Sequence, residues 1–300
     1  MKAVSSFALL AHALAANGAR ILQGNDDGWA ELYVRSFNDA LNAAGHSVIL
    51  SCPAENRSGS SSLDSEPSPR SDACQYSSCA PHSGPIGVNA SNPSLHWVNS
   101  YPVTAIRYGL DLFAPQAWAG AAPDIVVAGP NVGSNLFLQL PFSGTVGVAT
   151  HAAHNAGIPA IAFSGLSTGN LAWDVDPAPL RSSLYAQLAA FLTDKVLASG
   201  APYLPPDVFL NVNFPKVEGQ CTTFESFRWV LSRVDPGWFS APDVHWCGST
   251  RLPTELDVIG TDGCYISVSI GDAADKTTIN DDRQDAVLAK LKDILTCLPK

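Results

Sequence analysis

Apolar positions along this chain follow two rhythms. Short continuous runs alternate with polar turns, and between them apolar residues recur at helical spacing. An apolar run after Arg20 ends with Ile21 and Leu22, and Gly24-Asn25-Asp26-Asp27-Gly28 reads as a turn. Tyr33, Val34, Phe37, Leu41 and Ala44 then share a helix face, Gly45 stops that helix, and His46–Leu50 reads as the next strand. Strand, helix and strand in that order predict a βαβ unit, hence a parallel sheet of the α/β class. Ile106, Leu110 and Phe113 mark another helix face, and Asp124–Ala128 is a buried strand followed by the loop Gly129–Asn135. Ser143-Gly144-Thr145 opens a small-residue helix over Val146–Ala156, which Gly157 ends before the strand 158–163. Leu184, Leu188, Phe191, Leu192 and Lys195 define a long helix, and Phe209–Pro215 alternates as a strand. Mixed short strands and turns run to Gly271, Asp285–Leu295 closes as a helix, and no internal repeat is visible.

Two stretches break this pattern. Ser58 to about Asn99 is rich in Ser, Pro, Gly and Asn with little periodicity, and reads as a surface excursion over residues 58–99. At the other end, Lys2 precedes a largely apolar stretch, Ala3–Ala16, and Ala13-Leu14-Ala15 places small residues where a signal peptidase reads. Residues 1–16 are therefore expected to be a signal peptide, cut between Ala15 and Gly18, with one domain over 17–300 and a secreted product. The alternative is an Ala-rich first helix. The seven cysteines all lie beyond this leader. None has zinc-knuckle spacing, and an oxidising compartment allows three disulfides and one thiol left over, with Cys74–Cys79 as the expected pair. Asn56-Arg57-Ser58 and Asn89-Ala90-Ser91 are glycosylation sequons.

Composition narrows the function. Lys plus Arg number 17 against 27 Asp plus Glu, a formal charge of −10, so no basic face for a nucleic-acid polymer is expected. A small anionic substrate remains compatible, because a bound cation inverts the local field. Beyond the N-terminus no apolar run is long enough to span a membrane. Charged residues are 15 % and apolar residues 46 %, which supports a packed core and excludes a disordered chain.

In an open parallel sheet, ligands bind beyond the carboxyl ends of the strands. Three polar loops leave strand ends here, carrying Asp26 and Asp27, then Asn56-Arg57-Ser58-Gly59, then Asn131 and Asn135. Carboxylates, a hydroxyl and amides form an oxygen-donor set suited to Mg²⁺ or Mn²⁺. Taken alone, Asn-Asp-Asp-Gly is equally a turn and helix cap, Asn131 a turn residue, and Ser58 unremarkable.

Together, however, these segments resemble the SurE family of metal-dependent phosphatases and nucleotidases. The resemblance is carried by Ile21-Leu22 with Asn25-Asp26-Asp27-Gly28, by Pro53–Gly59, and by Pro123–Asn135. Ser143-Gly144-Thr145-Val146-Gly147, 157–162 and Asn211-Val212-Asn213-Phe214-Pro215 continue it, while Tyr101–Ala105 matches only loosely. The resemblance implies a Rossmann-like, three-layer α/β/α fold and one divalent cation held by Asp26, Asp27, Ser58 and Asn131. It also implies a phosphate region formed by Asn135, Ser143, Gly144 and Thr145. Secretion fits a fungal-type secreted acid phosphatase branch. Trp29-Ala30-Glu31 and Pro130 depart from the family pattern, and the stretch after Ser58 has no counterpart in it.

The expected activity is hydrolysis of a small phosphomonoester, nucleotides among the candidates, by cation-assisted attack of water with Asp26 or Asp27 orienting or deprotonating it. A covalent aspartyl-phosphate is the minor variant. Homo-oligomerisation is left open. His151 and His154 share a helix, but no third soft ligand accompanies them, so packing or surface roles are expected. Trp97, Trp118, Trp173, Trp229, Trp238 and Trp246 are candidates for a base- or sugar-binding cleft, with ordinary packing as the simpler role. The competing reading is a secreted SurE-like binding protein without catalysis. A nucleotide-cofactor enzyme is disfavoured, because the first turn lacks G-x-G-x-x-G.

Overall fold

A computed structural model describes residues 18–299. The expected signal peptide, residues 1–16, lies outside the described residues. Among the described residues ten strands form one sheet: β1 (Arg20–Gly24), β2 (Ser47–Pro53), β3 (Ile86–Val88), β4 (Leu95–Val98), β5 (Ile125–Val132), β6 (Ala160–Gly165), β7 (Val208–Phe214), β8 (Arg228–Ser232), β9 (Tyr265–Asp272) and β10 (Leu295–Thr296). The α-helices are α1 (Leu32–Ala43), α2 (Pro102–Tyr108), α3 (Ala114–Ala117), α4 (Gly144–Thr150), α5 (Leu180–Ala198), α6 (Glu255–Gly260) and α7 (Asp282–Leu291). The strand order is β10-β8-β9-β7-β6-β5-β1-β2-β4-β3. Pairing is parallel except for β3 with β4 and β7 with β9.

The layers follow from a period of two along the central strands. Ile21, Val48, Ile125, Val127, Ile161 and Phe163 face one side, where they pack with Tyr33, Phe37 and Leu41 of α1 and Leu184, Tyr185 and Leu188 of α5. Their neighbours Leu22, Ile49, Val126, Ala128 and Ala162 face the other side, against Ile106 of α2 and Val146, Val148 and Ala149 of α4. Each strand is buried on both faces, which is why these runs read as continuously apolar. This is the α/β, three-layer, mainly parallel arrangement expected.

Several boundaries differ from the sequence reading, each for a local reason. Residues 58–99, expected as an irregular excursion, also supply two strands. Leu95, Trp97 and Val98 of β4 are buried beside β2, and β3 forms the sheet edge. Only three or four residues long, such strands leave no periodic signal. β5 continues through the expected loop to Val132, because a bulge between Ala128 and Asn131 absorbs Gly129 and Pro130. The small-residue helix starts at Gly144 and passes into a π-turn over His151–Asn155. Cys74–Cys79 is bonded as expected, and Cys221–Cys264 and Cys247–Cys297 complete the set. Cys52 is free and buried.

The order of strands places the site. From β1 the chain runs outward through β2 and β4, then returns to lay β5 on the opposite side of β1. The strand order reverses there, and the crevice beyond the carboxyl ends of β1 and β5 is where a parallel sheet offers space to a ligand.

Candidate active site

Beyond β1 the chain turns sharply. Asn25 Nδ2 donates to Gly28 O at 3.1 Å, and Gly28 N donates back to Asn25 Oδ1 at 3.3 Å. Gly28 carries a φ of +106°, a conformation that glycine adopts without strain. This closed turn presents Asp26 and Asp27, which are 2 % and 1 % exposed.

Asp26 is held from α4. Thr145 Oγ1 donates to Asp26 Oδ1 at 2.5 Å, and Gly144 N donates to Asp26 Oδ2 at 3.1 Å. Gly144 is required for this approach, since a Cβ there would lie 2.8 Å from Asp26 Cβ. Asp27 is held from three other loops. Val132 N, at the end of β5, donates to Oδ2 at 2.7 Å. Asn170 Nδ2, from the loop after β6, and Asn56 Nδ2, from the loop after β2, donate to Oδ1 at 2.9 and 3.2 Å.

The expected cation ligands divide into those the fold fixes at this point and one at its margin. Asn131 precedes Val132, is buried, and gives its amide nitrogen to Gly133 O at 2.7 Å, which leaves its carbonyl oxygen as the acceptor end. Ser58 is exposed, and its main-chain N–H donates to Asn56 Oδ1 at 2.9 Å. Its loop is clamped to the site by Arg57 N donating to Asp26 O at 2.6 Å.

Electrostatics single out this pair. Burial raises the Asp26 carboxyl above the ordinary range, and burial together with the charge of Asp26 raises Asp27 to about 7. Glu31, fully buried four residues on, is raised to about 8 by burial and then by Asp27. Its carboxylate caps α1, accepting from Tyr33 N at 2.5 Å. Among the described residues no Lys or Arg forms an ion pair with Asp26 or Asp27. Two adjacent buried carboxylates with neutral donors and no basic partner are what a hard divalent cation fits. The asparagine oxygen and the nearby hydroxyl suit the same ion.

The expected phosphate residues have different partners. Ser143 Oγ accepts from Val146 N at 3.0 Å and caps α4. Gly144 and Thr145 give their donors to Asp26, as above. Asn135 is committed to the sheet: Nδ2 donates to Ser164 Oγ at 2.8 Å, and its backbone N–H donates to Asn213 Oδ1 at 2.9 Å.

Behind Asn135 lies a buried polar network that the sequence reading missed. Asn211 and Asn213 both donate to Asn135 O at 2.9 Å, and Asn211 also donates to Glu255 Oε2 at 2.9 Å. Phe137 N and Ser269 Oγ complete the donors to Glu255, at 2.6 and 3.1 Å. Burial lifts Glu255 to about 8. The alternation Asn211-Val212-Asn213 was the available signal, since two amides two positions apart on a central strand share one face. Asn56 had only its place in a strand-end loop as a signal, and Asn170, an isolated amide in a polar loop, had none.

The histidines have other roles. His154 is exposed and pairs with Asp207 at 2.8 Å, and burial lowers His151. Trp97 and Trp229 are core residues, whereas Trp238 is 82 % exposed.

Comparison with known proteins agrees with this geometry. The family model described as Survival protein SurE matches residues 21–233. An acid phosphatase of Yarrowia lipolytica is 31 % identical over 281 residues, covering 83 % of this chain and 78 % of that protein. A 5'-nucleotidase SurE of Geobacter metallireducens is 29 % identical over 261 residues, covering 84 % and 88 %. The crystal structure of the SurE protein from Aquifex aeolicus superposes with a TM-score of 0.59 at 21 % identity, covering 90 % of this chain and 98 % of the other, which establishes a shared fold. The chain belongs to the SurE family.

Proposed function

We propose that this protein is a secreted, divalent-cation-dependent phosphomonoester hydrolase, an acid phosphatase or nucleotidase acting on a small substrate. One observation carries the reading. Two adjacent buried aspartates, without a basic partner among the described residues, stand at the point where the strand order reverses and receive donors from four separate segments: α4, the end of β5 and the loops after β2 and β6. The names of the relatives, acid phosphatase and 5'-nucleotidase, point the same way. Nothing in the site favours a binding protein that has lost its chemistry, because all four proposed ligands are present.

Asp26, Asp27, Ser58 and Asn131 would hold the cation, Mg²⁺ or Mn²⁺ by the hardness of their oxygens. A cation bound there supplies charge neutralisation at the phosphoryl oxygens and a lowered pKa for water. The chain's own residues do the rest. Thr145 and Gly144 fix Asp26, and Asn56, Asn170 and Val132 fix Asp27, so neither carboxylate reorganises when a substrate arrives. Each carboxylate retains lone pairs to orient water and accept its proton. Ser143 keeps its hydroxyl proton available while its oxygen caps the helix, so it can donate to phosphate, and Asn135 is fixed separately by its bond to Ser164 on β6. Three disulfides support the secreted assignment.

The test is phosphate release from simple phosphomonoesters by the purified protein, with and without a chelator. Hydrolysis that stops with chelator and returns with added Mg²⁺ or Mn²⁺ supports the reading. A protein that binds the cation but turns over no ester across a broad panel supports the binding-protein alternative instead.

A further inference from the structure

Trp29-Ala30-Glu31, which depart from the family pattern, carry no step of the hydrolysis, yet all three are tied to one segment. That segment is the loop after β6, whose Asn170 donates to Asp27 Oδ1 at 2.9 Å. Glu31 forms an antiparallel bridge with Ala172. Leu171 N donates to Glu31 Oε1 at 3.4 Å, and Leu32 N donates to Leu171 O at 2.9 Å. Trp173 N donates to Ala30 O at 3.0 Å. Trp29 is joined to the loop through Arg35 of α1. The Arg35 guanidinium lies over both indole rings, 5.8 Å from the centre of Trp29 and 6.0 Å from that of Trp173. Its Nη1 also donates to Trp29 O at 3.4 Å. Among the described residues Arg35 forms no ion pair, so the two indole faces are the partners of its charge.

These contacts fix both ends of a short span. At its start Tyr33 OH donates to Ser167 O at 3.1 Å, and Ser167 N donates to Tyr185 OH at 3.1 Å. At its end Trp173 is held on Ala30 and under Arg35. Between them Asn170 is exposed, so burial does not keep its amide on the carboxylate, and the anchored loop does. On the other side of that contact, Trp29 N donates to Pro53 O at 2.9 Å, directly after the Gly28 that closes the turn bearing Asp27. Arg35 therefore bridges the turn that carries Asp27 to the loop that carries Asn170.

We propose that Arg35, Trp29 and Trp173 form a clamp of positioning residues that keeps Asn170 on Asp27 and so sets how tightly the site holds its cation. The inference rests on the cation reading of Asp27 and adds residues outside the donor set. With the Asn170 amide in place, Asp27 Oδ1 is oriented before any ion arrives. Without it the carboxylate must be ordered on binding, and affinity falls. Loss of such a supporting donor weakens metal binding by about 10- to 100-fold.

The experiment is calorimetric titration of Mn²⁺ into chelator-treated wild type, Asn170→Ala, Trp173→Ala, Trp173→Phe, Arg35→Met and the double variant Asn170→Ala/Trp173→Ala, with a thermal melt of each protein. Asn170→Ala, Trp173→Ala and Arg35→Met should each bind Mn²⁺ about 10- to 100-fold more weakly than the wild type. Trp173→Phe keeps an aromatic face for Arg35 and should stay near the wild-type affinity. The double variant should bind no more weakly than Asn170→Ala, because the clamp acts only through Asn170. Loss of the half-buried Trp173 ring lowers the melting temperature for packing reasons alone, so the affinity of the folded protein decides. Wild-type affinity in Asn170→Ala, Trp173→Ala or Arg35→Met overturns the clamp, and so does a double variant weakened by the product of the two single losses. If Trp173→Ala does not fold, Arg35→Met, which keeps both rings, carries the test. In each of these outcomes Mn²⁺ binding by the wild type leaves the cation reading intact. A wild type that binds no Mn²⁺ overturns that reading and the clamp together.

Discussion

The Thr145 hydroxyl donates to Asp26 Oδ1 at 2.5 Å, joining residues 119 positions apart. Together with the Gly144 N–H on the other oxygen, it commits the first turn of α4 to the aspartate, leaving little of it open to an anion. The family resemblance places Thr145 in the phosphate region, and this hydrogen bond predicts a positioning role toward the proposed cation. Thr145→Val should therefore weaken cation affinity, with activity falling roughly 10- to 100-fold at limiting Mg²⁺ and recovering in part at saturating Mg²⁺. An unchanged cation requirement with a raised KM for the ester would return Thr145 to the phosphate.

Ser143 separates two roles in one variant. As the cap of α4 it accepts from Val146 N, so Ser143→Ala should cost about 1 kcal/mol of stability. As a phosphate donor it should also contribute to turnover, and kcat/KM should fall at least about tenfold, on the order of 1.4 kcal/mol. Thermal melts and steady-state kinetics on the same protein decide this. Lowered stability with normal kinetics leaves only the cap.

Glu255 predicts a slope in stability with pH. Burial holds its proton in the folded protein up to about 8, while the unfolded chain releases it near 4.5. Between those values the folded state binds more protons, so this group's contribution is most favourable below about 4.5 and is lost as pH rises toward about 8. Glu31 acts in the same direction. Denaturant melts across that window should show a shallower pH dependence for Glu255→Gln than for the wild type. Parallel profiles for the two proteins would mean that Glu255 is ionised in the folded state throughout.

The two sequons should differ. Asn56 Nδ2 donates to Asp27 Oδ1 and Asn56 Oδ1 accepts from Ser58 N, so a glycan there would disturb the site. Asn89 Oδ1 accepts from Ser91 and Asn92, while its side-chain nitrogen donates to no group among the described residues. Peptide mapping of protein expressed from Met1 should find sugar on Asn89 alone and, on the signal-peptide reading, a mature N-terminus between Ala15 and Gly18. Active enzyme carrying a glycan on Asn56 would contradict the placement of that loop.

Much of the fold was legible because the central strands are buried on both faces and the helices between them end at Gly45 and Gly157. The edges were not. β3 and β4 are short strands in a Ser- and Pro-rich stretch, held by Arg70 and by pairing with β2 rather than by any periodicity of their own. Asp26, Asp27 and Asn131 could be read because they follow strand ends. Ser58 was named from motif resemblance, and the structure leaves its hydroxyl at the margin. Asn56 stood in a named strand-end loop without a role and Asn170 was not named, since what gives each a role is its contact with Asp27. Glu255 escaped for another reason. It follows Thr254, whose side chain caps α6 with Asp257, so the segment reads as an ordinary exposed helix start, while tertiary packing buries the Glu255 carboxylate against Asn211.

The central claim is that Asp26 and Asp27 bind a divalent cation that hydrolysis requires. The most direct measurement is calorimetric titration of Mn²⁺ into chelator-treated wild type, Asp26→Asn and Asp27→Asn, paired with phosphate release on the same samples. The wild type should bind one cation and regain activity on titration. Each variant should stay folded, lose most of that binding, and turn over about a hundredfold more slowly or worse. Wild-type turnover in either folded variant, or full activity in the chelated protein before any Mn²⁺ is added, would contradict the account.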